Sequence, residues 1–206
     1  MATQKSERSA RERLLDAANE LFYAEGVHTV GIDRVIERAG VAKASLYGTF
    51  GSKDELVRAY LELRSATRRD RILGYIARYD DPRRKILGVF EYLAVRAAEP
   101  DWRGCAFVNA TAEGPLEESA PRRVSLEARA WMRELFIGLA REMKLRDAEK
   151  VGRRLQVLWD GALIAASMER DLSVVEDARR MAEGLLGEKT AAGAETKGAA
   201  KGKRGK

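Results

Sequence analysis

An all-α protein is the reading that three features of the 206-residue sequence support. Long stretches are rich in Ala, Leu, Arg and Glu, which are strong helix formers, and no segment has the alternation of a convincing strand. Pro82, Pro100, Pro115 and Pro121 all fall outside the periodic apolar segments, where they can start or separate helices without breaking one. Capping residues and glycines stand at the ends of those segments. The expected architecture is an N-terminal three-helix domain over residues 1–52, a larger helical domain over 53–187, and a tail over 188–206 with no large apolar residue to bury.

The first helix is expected from about Arg8 to Ala24. Ser9 and Glu12 have capping-box spacing, and Leu14, Ala17, Ala18, Leu21 and Phe22 share one face. Gly26 stops it. A short helix carries Ile32, Val35, Ile36 and Ala39 and ends at Gly40. After a turn of a few residues a second short helix covers about Lys43–Thr49. Ser52 to Glu55 then opens a long helix with Leu56, Ala59, Tyr60 and Leu63 in line, continuing toward Tyr79. Asp81 and Pro82 start the next, which ends before Pro100. A shorter helix covers Cys105–Ala112, and Glu113–Ser119 is a loop. Further helices follow over about Pro121–Lys144, Asp147–Arg170 and Ser173–Leu186.

Composition excludes several classes. Apolar residues are 45% and charged residues 34%, the mix of a globular protein with a usable core. Polar residues fill the stretch from Met1 to Ala10, and no apolar run approaches the ~20 residues of a membrane span. Cys105 is the single cysteine, so no intrachain disulfide forms, and a cytoplasmic location without membrane contact is expected. No phosphate loop, dinucleotide fingerprint, HExxH or nucleophile elbow is present. With His28 alone, and lying in a turn, no metal site, cofactor or catalytic residue is expected. The net charge of +6 is misleading as a sign of nucleic-acid binding. Four of those charges come from the tail after Gly187, whereas residues 1–60 hold nine basic and nine acidic side chains. Placement of individual cations must carry any such argument.

That placement is found in residues 31–56. Two short helices joined by a tight turn at Gly40 have the helix-turn-helix layout, whose second helix enters the DNA major groove. Ile32, Val35, Ile36, Val41, Leu46 and Phe50 can pack the pair inward, leaving Lys43, Ala44, Ser45 and Tyr47 to face outward. Lys43 offers a point charge to phosphate or guanine, Ser45 a short donor and acceptor, and Tyr47 a hydroxyl for phosphate. Lys53 stands in the first turn of the following helix, where backbone N–H groups also favour phosphate.

The run from Gly40 through Val41, Ala42, Lys43, Ala44, Ser45 and Leu46 to Tyr47, with Phe50 and then Ser52 to Leu56, resembles the helix-turn-helix signature of the TetR family of bacterial transcription regulators. The preceding Gly31 to Ile36 and Ala39-Gly40 fit the same pattern, which covers about residues 10–60. Gly104 to Ala110 is similar to one large subset of the family. Gly48 and Thr49 depart from the commoner residues there. The resemblance implies a DNA-facing set of Thr29, Lys43, Ala44, Ser45, Tyr47, Thr49 and Lys53.

The resemblance further implies a homodimer on a pseudo-palindromic double-stranded operator, held by its last two helices. Val151, Leu155, Leu158, Ala162, Ala165, Leu185 and Leu186 are the expected contacts. It implies a repressor released by a small-molecule effector; an activator of the same fold is the alternative. Phe90, Trp102, Cys105, Phe107, Asn109 and Trp131 are the candidate effector residues, many apolar and few polar, as in a pocket that binds by area. Asn109 is read equally as a ligand-orienting amide or a core amide, and Cys105 as a buried apolar residue rather than a redox sensor.

Overall fold

The computed structural model describes residues 8–112 and 119–191. Among these residues the secondary structure is nine α-helices and no strand: α1 (Ala10–Glu25), α2 (Ile32–Ala39), α3 (Lys43–Phe50), α4 (Lys53–Ile76), α5 (Pro82–Ala97), α6 (Ala106–Ala112), α7 (Ala120–Glu142), α8 (Ala148–Glu169) and α9 (Ser173–Ala191). The expected all-α class is observed. Local signals explain most boundaries. Ser9 and Glu12 make the full capping box of α1. Asp81 accepts from the Arg84 N–H at 3.0 Å, with Pro82 in the first turn of α5. Ser119 does the same for Arg122 at 3.2 Å, starting α7.

Two ends differ from expectation. α4 stops at Ile76 rather than Tyr79, where the Tyr79 N–H turns back to the Ile76 carbonyl at 3.1 Å and the Arg78 Nε donates to the Tyr75 carbonyl at 2.8 Å. α9 runs to Ala191, beyond Leu186. The rest of the expected tail, from 192, and most of the expected loop, 113–118, lie outside the described residues.

The chain forms two compact units, grouped differently from a division at residue 52. The first holds α1 to α3, α4 as far as Leu73, and the segment from Glu99 to Trp131 with α6 and the first half of α7. Its core joins Leu14, Phe22, Val35, Leu46 and Tyr60 with Ala106, Phe107, Val124 and Ala128. The second unit holds the end of α4, α5, the second half of α7, α8 and α9. Its centre is Phe90, stacked on Phe136 at 5.9 Å and met edge-on by Trp159 at 6.2 Å. Arg83 on α5 pairs with Glu183 on α9 at 3.1 Å.

Glycine allows a close crossing of α7 and α8 in this second unit. A Cβ on Gly152 of α8 would lie 2.9 Å from the Ile137 backbone nitrogen of α7, a position that cannot give way as a flexible side chain would. At Gly138 of α7 a Cβ would meet nothing within 4 Å. Gly152→Ala is therefore expected to destabilise the protein by about 1–3 kcal/mol through overpacking. Gly138→Ala should be neutral or stabilising by up to ~1 kcal/mol. Urea denaturation of the two variants checks the contrast; equal midpoints would refute it.

Candidate nucleic-acid interface

α3 is an eight-residue helix, too short to persist alone, and its position is set by what it buries. Leu46 is 0% exposed and lies in one core cluster with Leu14, Ala18, Val35 and Ala39. The turn before α3 uses Gly40 at φ 62°, a left-handed conformation that favours glycine. The Gly40 N–H closes onto the Ile36 and Glu37 carbonyls, and its own carbonyl accepts from the Arg13 guanidinium of α1 at 3.1 Å. The inward side of α3 being fixed, Lys43, Ala44, Tyr47, Gly48 and Thr49 are left exposed, while Ser45 is half-buried. Thr29 is exposed ahead of α2, and Lys53 is half-buried in the first turn of α4.

Most cations of this head are already engaged in holding it together. Arg34 makes a two-pronged bond to Glu25, at 2.7 and 2.9 Å. The bond holds the Glu25 carboxyl below its usual range and the Arg34 guanidinium above. Arg38 grips Glu20 at 2.7 Å, tying α2 to α1, and Arg58 lies between Glu55 and Glu62. Each exposed pair contributes little stability on its own, about 0–1 kcal/mol, but takes a cation out of reach. Arg11 and Lys53 are left without an ion pair among the described residues, and the Arg11 guanidinium lies 5.5 Å over the Phe50 ring at the end of α3. Arg11, exposed in the first turn of α1, is not among the cations that the sequence suggested.

Lys43 is not a free point charge. Its ammonium donates to Asp33 of α2 at 2.9 Å, and this partner holds its pKa above the ordinary lysine value. Lys43 stays charged and is aimed by a carboxylate that itself lies on the same exposed side. The helix starts add a second feature. α1 has a complete capping box, and the Ser52 hydroxyl accepts from the Glu55 N–H at 3.2 Å in α4. α2 and α3 begin at Gly31 and Ala42 with no side-chain cap. The Ser45 N–H donates to the Ala42 carbonyl at 2.9 Å, and the other first-turn N–H groups of the two helices have no side-chain acceptor that would compete with an anion such as phosphate.

A buried tyrosine connects this head to the segment ahead of α6. The Tyr23 hydroxyl of α1 accepts from the Arg103 N–H at 2.9 Å and donates to the Gly104 carbonyl at 3.2 Å. The Arg64 guanidinium of α4 lies 3.7 Å over the Tyr23 ring. Among the candidate effector residues, Phe107 is buried with Arg68 over its ring at 4.5 Å, and Cys105 is half-buried against the same core. Trp131 and Trp102 are half-buried, the former under Arg69 at 5.3 Å. Asn109 is exposed and donates to the Arg103 carbonyl at 3.0 Å, so it is not a core amide. Phe90 belongs to the second unit, fully buried against Phe136 and Trp159, and serves that unit's packing.

The expected dimer residues also separate. Val151, Leu155, Ala162 and Leu186 are buried in the core of the second unit. Leu158, Ala165 and Leu185 are half-buried. The outer side of α8 and α9 instead carries Val157, Ile164, Met168 and Met181, which are 65%, 40%, 78% and 61% exposed. Both sides of α8 are apolar, so periodicity alone could not say which side the protomer uses.

Comparison with known proteins agrees with this geometry. The profile of bacterial regulatory proteins, tetR family, matches residues 14–60. The crystal structure of SCO4454, a TetR-family transcriptional regulator from Streptomyces coelicolor, is similar over 89% of this chain and 91% of that one, with 34% identity and a TM-score of 0.82. The transcriptional activator FasR of Mycolicibacterium smegmatis is 48% identical over 52 residues, which are 25% of this chain and 24% of FasR. The regulator BetI of Rhizobium meliloti is 25% identical over 161 residues, 77% of this chain and 78% of BetI. With its helix-turn-helix head, its nine described helices and a likeness to SCO4454 that spans nearly both chains, the protein belongs to the TetR family of transcriptional regulators.

Proposed function

We propose that the protein is a homodimeric repressor that reads a pseudo-palindromic operator with α3 and leaves it when a small molecule binds. The observation that carries the DNA-facing assignment is the exposed side of α3, with Lys43, Ala44 and Tyr47 following a helix start that no side chain caps. Lys53 and Arg11 supply phosphate contacts, Thr29 and Thr49 flank them, and the half-buried Ser45 reaches a base or phosphate from the edge. Activation is the second reading, supported by the 48% identity over 52 residues to FasR, an activator. A reporter behind the operator separates the two by the sign of its response.

The dimer is proposed to form through the outer side of α8 and α9. A patch of large apolar side chains on one side of a protomer is the usual mark of an interface. Leu158, Ala165 and Leu185 border it, and Val157, Ile164, Met168 and Met181 form its middle. An isologous pairing of this patch would give each half of a pseudo-palindromic site its own α3.

The effector is proposed to act on the α6 segment, near Trp102, Cys105, Phe107, Asn109 and Trp131. A ligand that displaces this segment pulls on the Tyr23 hydroxyl and so on α1, against which α3 is packed. Tenfold release needs about 1.4 kcal/mol of differential affinity between the two states.

Three measurements follow. Lys53→Ala should weaken binding to every duplex alike and reduce the slope of log K against log salt by about 0.9, the share of one phosphate contact. An unchanged slope with altered sequence preference would remove Lys53 from the backbone contacts. Met181→Arg, at an exposed site, should leave the helical content intact while giving monomers by light scattering at low micromolar concentration. A surviving dimer places the interface elsewhere. Tyr23→Phe removes the two hydrogen bonds to residues 103 and 104; it should preserve operator binding and reduce release by a ligand found through tryptophan fluorescence. Full release by that ligand would show that the signal takes another route.

A further inference from the structure

Gly48 lies on the exposed side of α3, one turn after Ala44. Some glycines of the chain have visible structural reasons, whereas Gly74, Gly138, Gly161 and Gly184 have none and lie in helices much longer than α3. Gly26, Gly40, Gly51 and Gly104 adopt positive φ. Gly88 and Gly152 are crossed at close range: a Cβ on Gly88 would lie 2.7 Å from the Tyr79 ring. Neither reason applies to Gly48. Its φ is not in the left-handed range, and a Cβ there would meet nothing within 4 Å. The residue also weakens a helix that is only eight residues long and has no side-chain cap. The fold of the protomer thus gives a reason against glycine at this position and none for it.

We infer that Gly48 is a specificity-determining residue, required by the DNA rather than by the protein. At this register the α3 backbone itself comes against the groove, and any side chain would hold the helix off. Lys43 and Tyr47 flank the close approach, and Ala44 extends it by one turn with only a methyl group. This rests on the reading of α3 as the DNA-reading helix and adds where that helix comes nearest the bases. A substitution at Gly48 should therefore stabilise the protein and weaken its operator complex, two effects of opposite sign that a merely structural residue would not give.

The experiment uses the full chain and the duplex that the wild-type protein enriches from a random-sequence library. Gly48→Ala is expected to raise the melting temperature by about 2 °C. It should lower affinity for the enriched duplex by about tenfold, leave binding to unselected duplex nearly unchanged, and enrich a different consensus on reselection. Gly74→Ala, at an exposed α4 glycine whose Cβ would also meet nothing within 4 Å, should raise the melting temperature without changing DNA affinity. Wild-type affinity and consensus in Gly48→Ala would overturn the inference, as would a lowered melting temperature, which would return the glycine to a structural role. Failure of the wild-type protein to enrich any sequence would overturn the DNA-reading assignment itself.

Discussion

Burial of Leu46 is the constraint on which the rest of the head depends. An eight-residue helix has too few internal hydrogen bonds to offset the cost of starting it, so α3 exists only where tertiary packing holds it. Leu46 fills that place among Leu14, Ala18, Val35 and Ala39. With this one side chain fixed, helical geometry decides what faces outward. Lys43, Ala44, Tyr47 and Gly48 are exposed because Leu46 is not. The Gly40 turn and the Arg13 bond to its carbonyl then keep α3 at one angle to α1 and α2.

The electrostatics of the head follow from the same scaffold. Glu20 and Glu25 of α1 take up Arg38 and Arg34 of α2, and Asp33 takes up Lys43. A nearly neutral head is thereby sorted into paired cations that brace the helices and a few that remain for a polyanion. Surface pairs of this kind add little stability, and their larger effect is on placement. Lys43 is the clearest instance, since a lysine side chain with many rotamers is held by a neighbouring carboxylate above the ordinary pKa. A tethered cation loses less freedom on meeting a base edge than a free one, while the carboxylate beside it disfavours phosphate at that spot.

Within the first unit, a second arrangement links the reading head to α6. Tyr23 projects from α1, is almost fully buried, and satisfies both its hydroxyl donor and acceptor with the backbone at 103 and 104. A buried hydroxyl with two such partners is costly to displace, because both are left unpaired when it moves. Arg64 over its ring adds a third attachment from α4. The contact network therefore places α6 with the head, and the chain positions that separate them by some eighty residues have no bearing on that.

Helix existence, order and most boundaries were legible in the sequence because their causes are local. Ser9 with Glu12, Gly40, and Asp81 with Pro82 each act within one turn of where they stand. Lys43, Ala44 and Tyr47 as the outward side of α3 were legible too, since one buried leucine and a period of 3.6 determine them, whereas Ser45, expected with them, is half-buried. Three things were decided only by the tertiary structure. Arg34 and Arg38 find Glu25 and Glu20 from nine and eighteen residues away, and Lys43 finds Asp33 across the turn; nothing local fixes such pairs. Phe90 and Phe107 look alike as aromatics in apolar helices, yet they fall in different compact units. On α8, Val151, Leu155 and Ala162 repeat at helical spacing, and so do Val157, Ile164 and Met168. A helix apolar on both sides satisfies its own period either way, and only packing against α7 and α9 determines which side becomes the core.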